Sequence, residues 1–290
     1  MRYVLWILTI LLSGLTVTQP ARAFEVKFHQ GLGGLVSRVT VGEDDSLIEL
    51  ARSYNLGYNE IVAANPGVDP FVPTAGTEII IPGTWLLPDV PKLEGIVINL
   101  AEMRLYLFPS RKNNSVETFP IGIGDEGWDT PTGTFRITEK TENPAWYVPP
   151  SIRAYKPNLP KIVPAGPDNP LGTHALRLSN GMVLIHGTNR PFGIGRRVSH
   201  GCIRLYPEDI SVLFRKVKLG VTVTIIRQQV KATLADGRAL VEVHADGEEN
   251  LEQEALTLLE KKGLSAKVDL DALKAAVRDR LGVPTDVTRK

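Results

Sequence analysis

The chain has 290 residues, 33 Lys and Arg against 32 Asp and Glu, a net charge of +1 and one cysteine. That balance gives no electrostatic case for nucleic acid or for an anionic lipid surface as partner. A single cysteine cannot close a disulfide within the chain, and a lone thiol in an oxidising compartment persists only if it is buried or used.

Residues 1–23 combine Arg2, an apolar run from Tyr3 to Val17 and the small-x-small ending Ala21-Arg22-Ala23, the layout of a cleaved export signal. A membrane anchor is the alternative, but the run falls short of the roughly 20 residues that span a bilayer. No cysteine follows it to take a lipid. The mature chain would then be exported and start near Phe24 with 267 residues, enough for two or three domains.

Residues 24–37 ("FEVKFHQGLGGLVS") are short and glycine-rich and read as a lead-in. Residues 38–82 follow the order strand, helix, helix, strand. "RVTV" alternates, and Asp45 or Ser46 can cap a helix through Leu47, Ile48, Leu50, Ala51 and Tyr54. Tyr58 to Ala64 makes a second helix ended by Asn65-Pro66, and "TEIIIP" returns as a strand. Through "VTVGEDDSL", "IELARSY", "IVAANP" and "AGTEIIIP" this segment resembles the LysM module, which implies a small βααβ domain and N-acetylglucosamine-containing glycan as ligand. A packing domain without ligand is the alternative.

Residues 83–92 ("GTWLLPDVPK") read as a linker. Residues 93–227 read mostly as strands: "GIVINL" and "RLYLF" as a hairpin, then "VETFPIGIG", "GTFRIT", "HALRLS", "MVLIHG" and "VTVTII". Asn143 to Gly172 holds eight prolines and cannot supply sheet interior; it reads as an ordered flap. Pro207, Glu208 and Asp209 suit the first turn of a helix reaching about Val217. Residues 228–290 read as a hairpin around Asp236-Gly237 and two amphipathic helices, with stripes Leu251, Ala255, Leu258, Leu259 and Leu270, Leu273, Val277, Leu281. This α+β tail carries no sign of chemistry.

The chemistry-bearing stretch is "LIHGTNRPFGIGRRVSHGCIRLYPEDI", Leu184 to Ile210, which holds His186, His200 and Cys202. His186 ends an apolar strand, and a loop rich in Gly, Pro and Arg returns the chain to Ser199-His200-Gly201-Cys202. A thiol has a pKa of about 8.5; an imidazole within hydrogen-bond range can take its proton or hold it as an ion pair. Attack on an amide carbonyl would need N–H donors for the oxyanion, and the amides near Gly201 and Cys202 can serve. Two other readings of the same residues are an inert buried cysteine and a zinc site made of His186, His200 and Cys202. His29, His174 and His244 read as surface or locally bonded.

"HGTNRPFGIGRRVSHGCIRL" resembles the signature of the YkuD-type L,D-transpeptidases. The resemblance covers roughly 95–227, and "TPTGTFRI", "NPAWYVPPSIR" and "VPAGPDNPLGTHALRL" are similar to the Gram-negative, periplasmic branch. It implies a mainly β catalytic domain, a YkuD-like sandwich or barrel with a short helix. Cys202 would be the nucleophile and His186 the base, its ring held by a backbone carbonyl near Gly187; His200 would line the acyl pocket. Ser199 would fix the loop, and the Gly201 and Cys202 amides would form the oxyanion hole. Arg204 would hold a substrate carboxylate, a structural salt bridge being its alternative, and Trp146 and Tyr147 would cover the peptide. No cofactor and no metal are implied. The implied reaction is attack on the diaminopimelate carbonyl of a tetrapeptide stem, release of D-alanine, and transfer to an amine in peptidoglycan, from a second diaminopimelate or a lysine of an outer-membrane lipoprotein. The contrasting reading is a non-catalytic, LysM-type wall-binding protein.

Overall fold

The structure is a computed structural model that describes residues 24–108, 115–247 and 250–290. The expected export signal, residues 1–23, lies outside the described residues. Among those described, no helix is long and apolar enough to cross a membrane. The described residues are mainly β, with 35% in strands against 22% in helices.

The N-terminal third holds β1 (Phe24–His29), β2 (Leu32–Thr40), α1 (Leu47–Ser53), α2 (Tyr58–Ala64) and β3 (Glu78–Leu86). Ser46 caps α1, its hydroxyl accepting from the Glu49 amide at 3.2 Å. Glu60 closes α2 by accepting from the Gly57 amide at 2.7 Å. Residues 24–37, read as a lead-in, are instead β1 and the first part of β2. Glycine content hid them: Gly34 (φ +88°) lies so close to β3 that a Cβ there would be 2.1 Å from the Gly83 carbonyl oxygen. The linker reading of 83–92 is likewise corrected over its first four residues, which extend β3.

The middle of the chain supplies β4 (Gly95–Asn99), β5 (Arg104–Phe108), β6 (Ser115–Pro120), β7 (Ile123–Gly124) and β8 (Gly133–Glu142). The proline-rich flap contains β9 (Trp146–Tyr147), α3 (Pro150–Tyr155) and β10 (Ile162–Val163), so it has a helix of its own that its composition did not announce. Then come β11 (His174–Leu178), β12 (Leu184–His186), a 3-10 turn at Pro191–Gly193, β13 (Arg197–Ser199), β14 (Ile203–Arg204), α4 (Pro207–Lys216) and β15 (Thr222–Ile226). Eleven strands form one sheet in the order β14-β12-β11-β8-β15-β4-β5-β6-β1-β2-β3.

Alternation along β4 and β5 splits the interior in two. Ile96, Ile98, Leu105 and Leu107 enter one core with Ile185, Ile203 and Leu213 of the later strands and α4. Val97, Tyr106 and Phe108 enter the other, with Leu47, Ala51 and Ile61 of α1 and α2 and Trp85 of β3. "GIVINL" is apolar without alternation because the sheet is covered on both faces there. The LysM-like helices therefore share a core with the large sheet.

The tail forms β16 (Val230–Ala235), β17 (Arg238–Val243), α5 (Leu251–Lys261), α6 (Leu270–Asp279) and β18 (Thr285–Asp286). Its hairpin turns at Asp236 and Gly237, both with positive φ. The second helical stripe is corrected at its ends: Leu273 is buried and Val277 packs against the same core, while Leu270, the first residue of the helix, is half exposed and Leu281 lies beyond it. Lys231 docks this tail. Its ammonium, fully buried, donates to Glu102 (2.5 Å) and the Leu86 carbonyl (2.8 Å) and pairs with Glu242 (2.6 Å).

Candidate active site

β12 lies antiparallel to β11 and parallel to β14, with Ile185 opposite Ile203 and His186 opposite Arg204. Ile185 and Ile203 point into the core. The pleat therefore turns His186 and Arg204 to the other face, and Cys202 stands just before β14, two residues from Arg204. The parallel pairing of β12 and β14, 18 residues apart, is what brings the three together.

His186 is buried. Its Nδ1–H donates to the Gly187 carbonyl at 2.6 Å, which leaves Nε2 as the lone-pair nitrogen. Burial, reinforced by the Arg204 guanidinium, pushes this imidazole down to about 3, against the pull of the Gly187 and Leu171 carbonyls. The turn that ends β12 is tight: a Cβ on Gly172 (φ +67°) would stand 2.8 Å from the Thr188 nitrogen.

Cys202 is half-buried. Its thiol donates to the Met182 carbonyl at 4.0 Å, and no hydrogen bond joins it to His186 among the described residues. The expectation of a resting imidazole–thiol bond is thus corrected. Burial pushes the Cys202 thiol up, against a backbone hydrogen bond from Leu184 and the charges of Arg204 and Arg177. Raised thiol and lowered imidazole make a neutral pair, and neutral groups attract each other too weakly to enforce the contact.

The Ser199 hydroxyl donates to the Cys202 carbonyl at 2.5 Å, bridging the bend between β13 and β14. Gly201 takes φ +91° there, a conformation that strains any residue with a Cβ. Among the described residues neither the Gly201 nor the Cys202 amide has an acceptor, so both are available to a ligand. The His200 ring meets Trp128, centroids 4.6 Å apart. Burial and the charges of Lys156 and Arg204 lower its pKa.

Arg204 has no carboxylate partner among the described residues, and its Nε is buried without a hydrogen bond. The salt-bridge alternative is overturned. Arg190, on the loop after His186, sets a second positive charge against it. In the flap, Trp146 is half-buried and Tyr147 is 72% exposed. Asn169 is the flap's anchor: fully buried, it donates to the carbonyls of Pro144, Val163 and Pro164 and accepts from the Leu171 amide.

The zinc reading fails on geometry. Among the described residues the one group whose donor atoms gather within 4.8 Å is Glu102, Glu242 and His244, where the Lys231 ammonium already bonds both carboxylates. His186, His200 and Cys202 do not converge. Trp128 beside His200, Arg190 near Arg204 and Asn169 in the flap were not singled out by sequence reasoning. Trp128 had a signal in the polar stretch "DEGWDTPTG", where an aromatic has no core to enter.

The family YkuD, described as an L,D-transpeptidase catalytic domain, matches residues 94–226, and the LysM domain matches residues 39–82. Over 281 residues the chain is 43% identical to "Probable L,D-transpeptidase YcfS" of Escherichia coli, covering 91% of this chain and 84% of that protein. It is 42% identical over 264 residues to "Probable L,D-transpeptidase YbiS" of the same organism, covering 86% and 85%. With "Probable L,D-transpeptidase ErfK/SrfK" of Escherichia coli it shares 41% over 267 residues, 86% of this chain and 85% of that one.

Proposed function

Because the chain belongs to the YkuD family of L,D-transpeptidases, we propose that it is a periplasmic, cysteine-dependent acyltransferase of peptidoglycan, with Cys202 as nucleophile and His186 as general base. The observation that carries this reading is the pairing of β12 with β14, which sets His186 opposite Arg204, two residues from Cys202, with the Arg204 charge acting on both groups. There a backbone carbonyl has fixed the imidazole tautomer with Nε2 free, beside an arginine without a carboxylate partner.

The resting pair is neutral, so the thiolate forms as attack begins. The Cys202 side chain swings from the Met182 carbonyl toward Nε2 and gives up its proton as Sγ bonds the diaminopimelate carbonyl carbon. The oxyanion takes the free Gly201 and Cys202 amides. Collapse breaks the C–N bond to the terminal D-alanine, and the imidazolium returns the proton to the departing amine. An acceptor amine then attacks the thioester, Sγ leaves as thiol, and a new amide remains. Arg204 holds a carboxylate of the stem, His200 and Trp128 wall the acyl pocket, and Trp146 and Tyr147 cover the peptide. The LysM-like unit holds the glycan. A second diaminopimelate gives a cross-link, a lipoprotein lysine gives an anchored lipoprotein, and water gives a trimmed stem.

The test is incubation with disaccharide-tetrapeptide followed by mass spectrometry. An acyl adduct on Cys202 and release of D-alanine are expected, and Cys202→Ala should give neither. Turnover by Cys202→Ala would sink the reading. Analysis of wall fragments with and without the protein identifies the acceptor.

A further inference from the structure

The LysM-like unit touches the loop between His186 and Cys202 through its backbone. The Tyr58 and Asn59 amides, in the first turn of α2, donate to the Ile194 and Gly195 carbonyls at 3.1 and 3.2 Å. Gly57 and Gly195 meet without side chains: a Cβ on Gly195 (φ +77°) would lie 2.2 Å from the Tyr58 nitrogen, and one on Gly57 would lie 2.8 Å from the Gly195 Cα. The next residue, Arg196, stacks its guanidinium over the Tyr58 ring at 3.6 Å.

The far side of the loop is held as firmly. The Gly195 amide donates to the Ile121 carbonyl (3.0 Å), the Ile123 amide to the Arg196 carbonyl (3.1 Å) and the Asp125 amide to the Ser199 carbonyl (2.8 Å). Ser199 in turn bonds the Cys202 carbonyl. Helix α2 is itself pinned to the sheet, since Glu60 takes two bonds from the buried Arg104 at 2.8 and 2.9 Å. A continuous set of short contacts thus joins the first turn of α2 to the cysteine. A module that served only to hold glycan would need none of them.

We propose that the LysM-like unit is a clamp on the loop carrying Cys202, with Tyr58 and Gly195 as its positioning residues. This rests on the reading of Cys202 as the nucleophile. The two backbone bonds, the glycine–glycine contact and the Tyr58–Arg196 stack are satisfied together in one placement of the loop. Releasing them lets Ser199 and Cys202 drift, and a displacement of about 1 Å at a reacting atom costs on the order of a hundredfold in rate. Tyr58 and Gly195 act on Cys202 only through the loop, so the loss is expected on the chemical step.

The full-length chain is compared with Tyr58→Ala, Tyr58→Phe and Gly195→Ala. The readouts are kcat and KM on disaccharide-tetrapeptide and the pH profile of Cys202 alkylation by iodoacetamide. Tyr58→Ala should lower kcat roughly tenfold or more, keep KM within about twofold and shift the alkylation profile. Tyr58→Phe, which keeps a ring under Arg196, should restore both. Gly195→Ala should act as Tyr58→Ala does; if it does not fold, Tyr58→Ala decides. Wild-type kcat and alkylation in Tyr58→Ala, or equal losses in Tyr58→Ala and Tyr58→Phe, would overturn the clamp. Activity surviving in Cys202→Ala would instead remove the nucleophile reading on which it rests.

Discussion

At the scale of single residues, the proposed pair of His186 and Cys202 is defined by what each group is denied. Among the described residues His186 has no carboxylate orienter; backbone carbonyls hold its ring, Gly187 at 2.6 Å, and burial keeps it neutral. A base with a pKa near 3 is unprotonated throughout the physiological range. The acid limb of kcat/KM should therefore fall below pH 5, and an inflection near pH 6.5 assigned to His186 would contradict the neutral pair. His186→Gln should cost about 10²–10⁴ in kcat, the range of a general base, with the melting temperature little changed.

Asp209, in the first turn of α4, makes a residue-scale prediction about stability. Its carboxyl is fully buried, neither oxygen has a hydrogen-bond partner, and burial with the nearby Glu208 charge pushes it up to about 8, against the pull of Arg104 and Arg52. The folded state holds this proton more tightly than the unfolded state. Its contribution is therefore complete below pH 4 and is lost as pH rises toward 8. Asp209→Asn should raise the melting temperature at pH 8 and flatten its decline with pH. The gain is on the order of a few kcal/mol. An unchanged pH slope would show that the carboxyl is hydrated instead.

At the scale of elements, the flap depends on one side chain. Asn169 satisfies three carbonyls and one amide that the prolines cannot satisfy for each other, because proline has no N–H to give. Asn169→Ala leaves those groups unpaired at about 1 kcal/mol or more each. It should raise KM for the stem peptide and expose residues 144–172 to protease, while the rest of the chain stays folded. A variant with normal KM and protease resistance would mean the flap is held elsewhere. The flap's eight prolines were plain from composition; that they surround a buried asparagine was not, since asparagine in a proline-rich stretch reads equally well as a turn residue.

At the scale of the molecule, the tail is bound to the rest through buried charge. Lys231 of the tail answers Glu102 in the turn between β4 and β5 and Glu242 of its own hairpin, and the Tyr106 hydroxyl donates to Glu102 at 2.9 Å. Removing the lysine strands two carboxylates. Lys231→Met should cost about 3–5 kcal/mol, read as a fall in melting temperature, and Lys231→Met with Glu242→Gln should recover part of it. If the single variant melts like the wild type, the cluster contributes no net stability.

Local features of the chain determined many of its elements by themselves, while β1, the start of β2 and the flap helix escaped them. The Ser46 cap, the α1 and α2 periodicities, the Asp236-Gly237 turn and the spacing of His186 from Ser-His-Gly-Cys act over a few residues and are visible as spacing and residue type. Pairing was decided only in three dimensions. Nothing near Leu184 announces that β12 will lie beside β14 and set His186 opposite Arg204. Nor do the residues around Gly57 reveal that a loop 138 positions on will be laid against them. The LysM-like helices share the second core of the large sheet because β4 and β5 alternate between two apolar faces, and the outer one needs a cover. The neutral resting pair is likewise a tertiary result: spacing shows that an imidazole and a thiol can meet, whereas their protonation depends on how much water and charge the completed fold leaves around them.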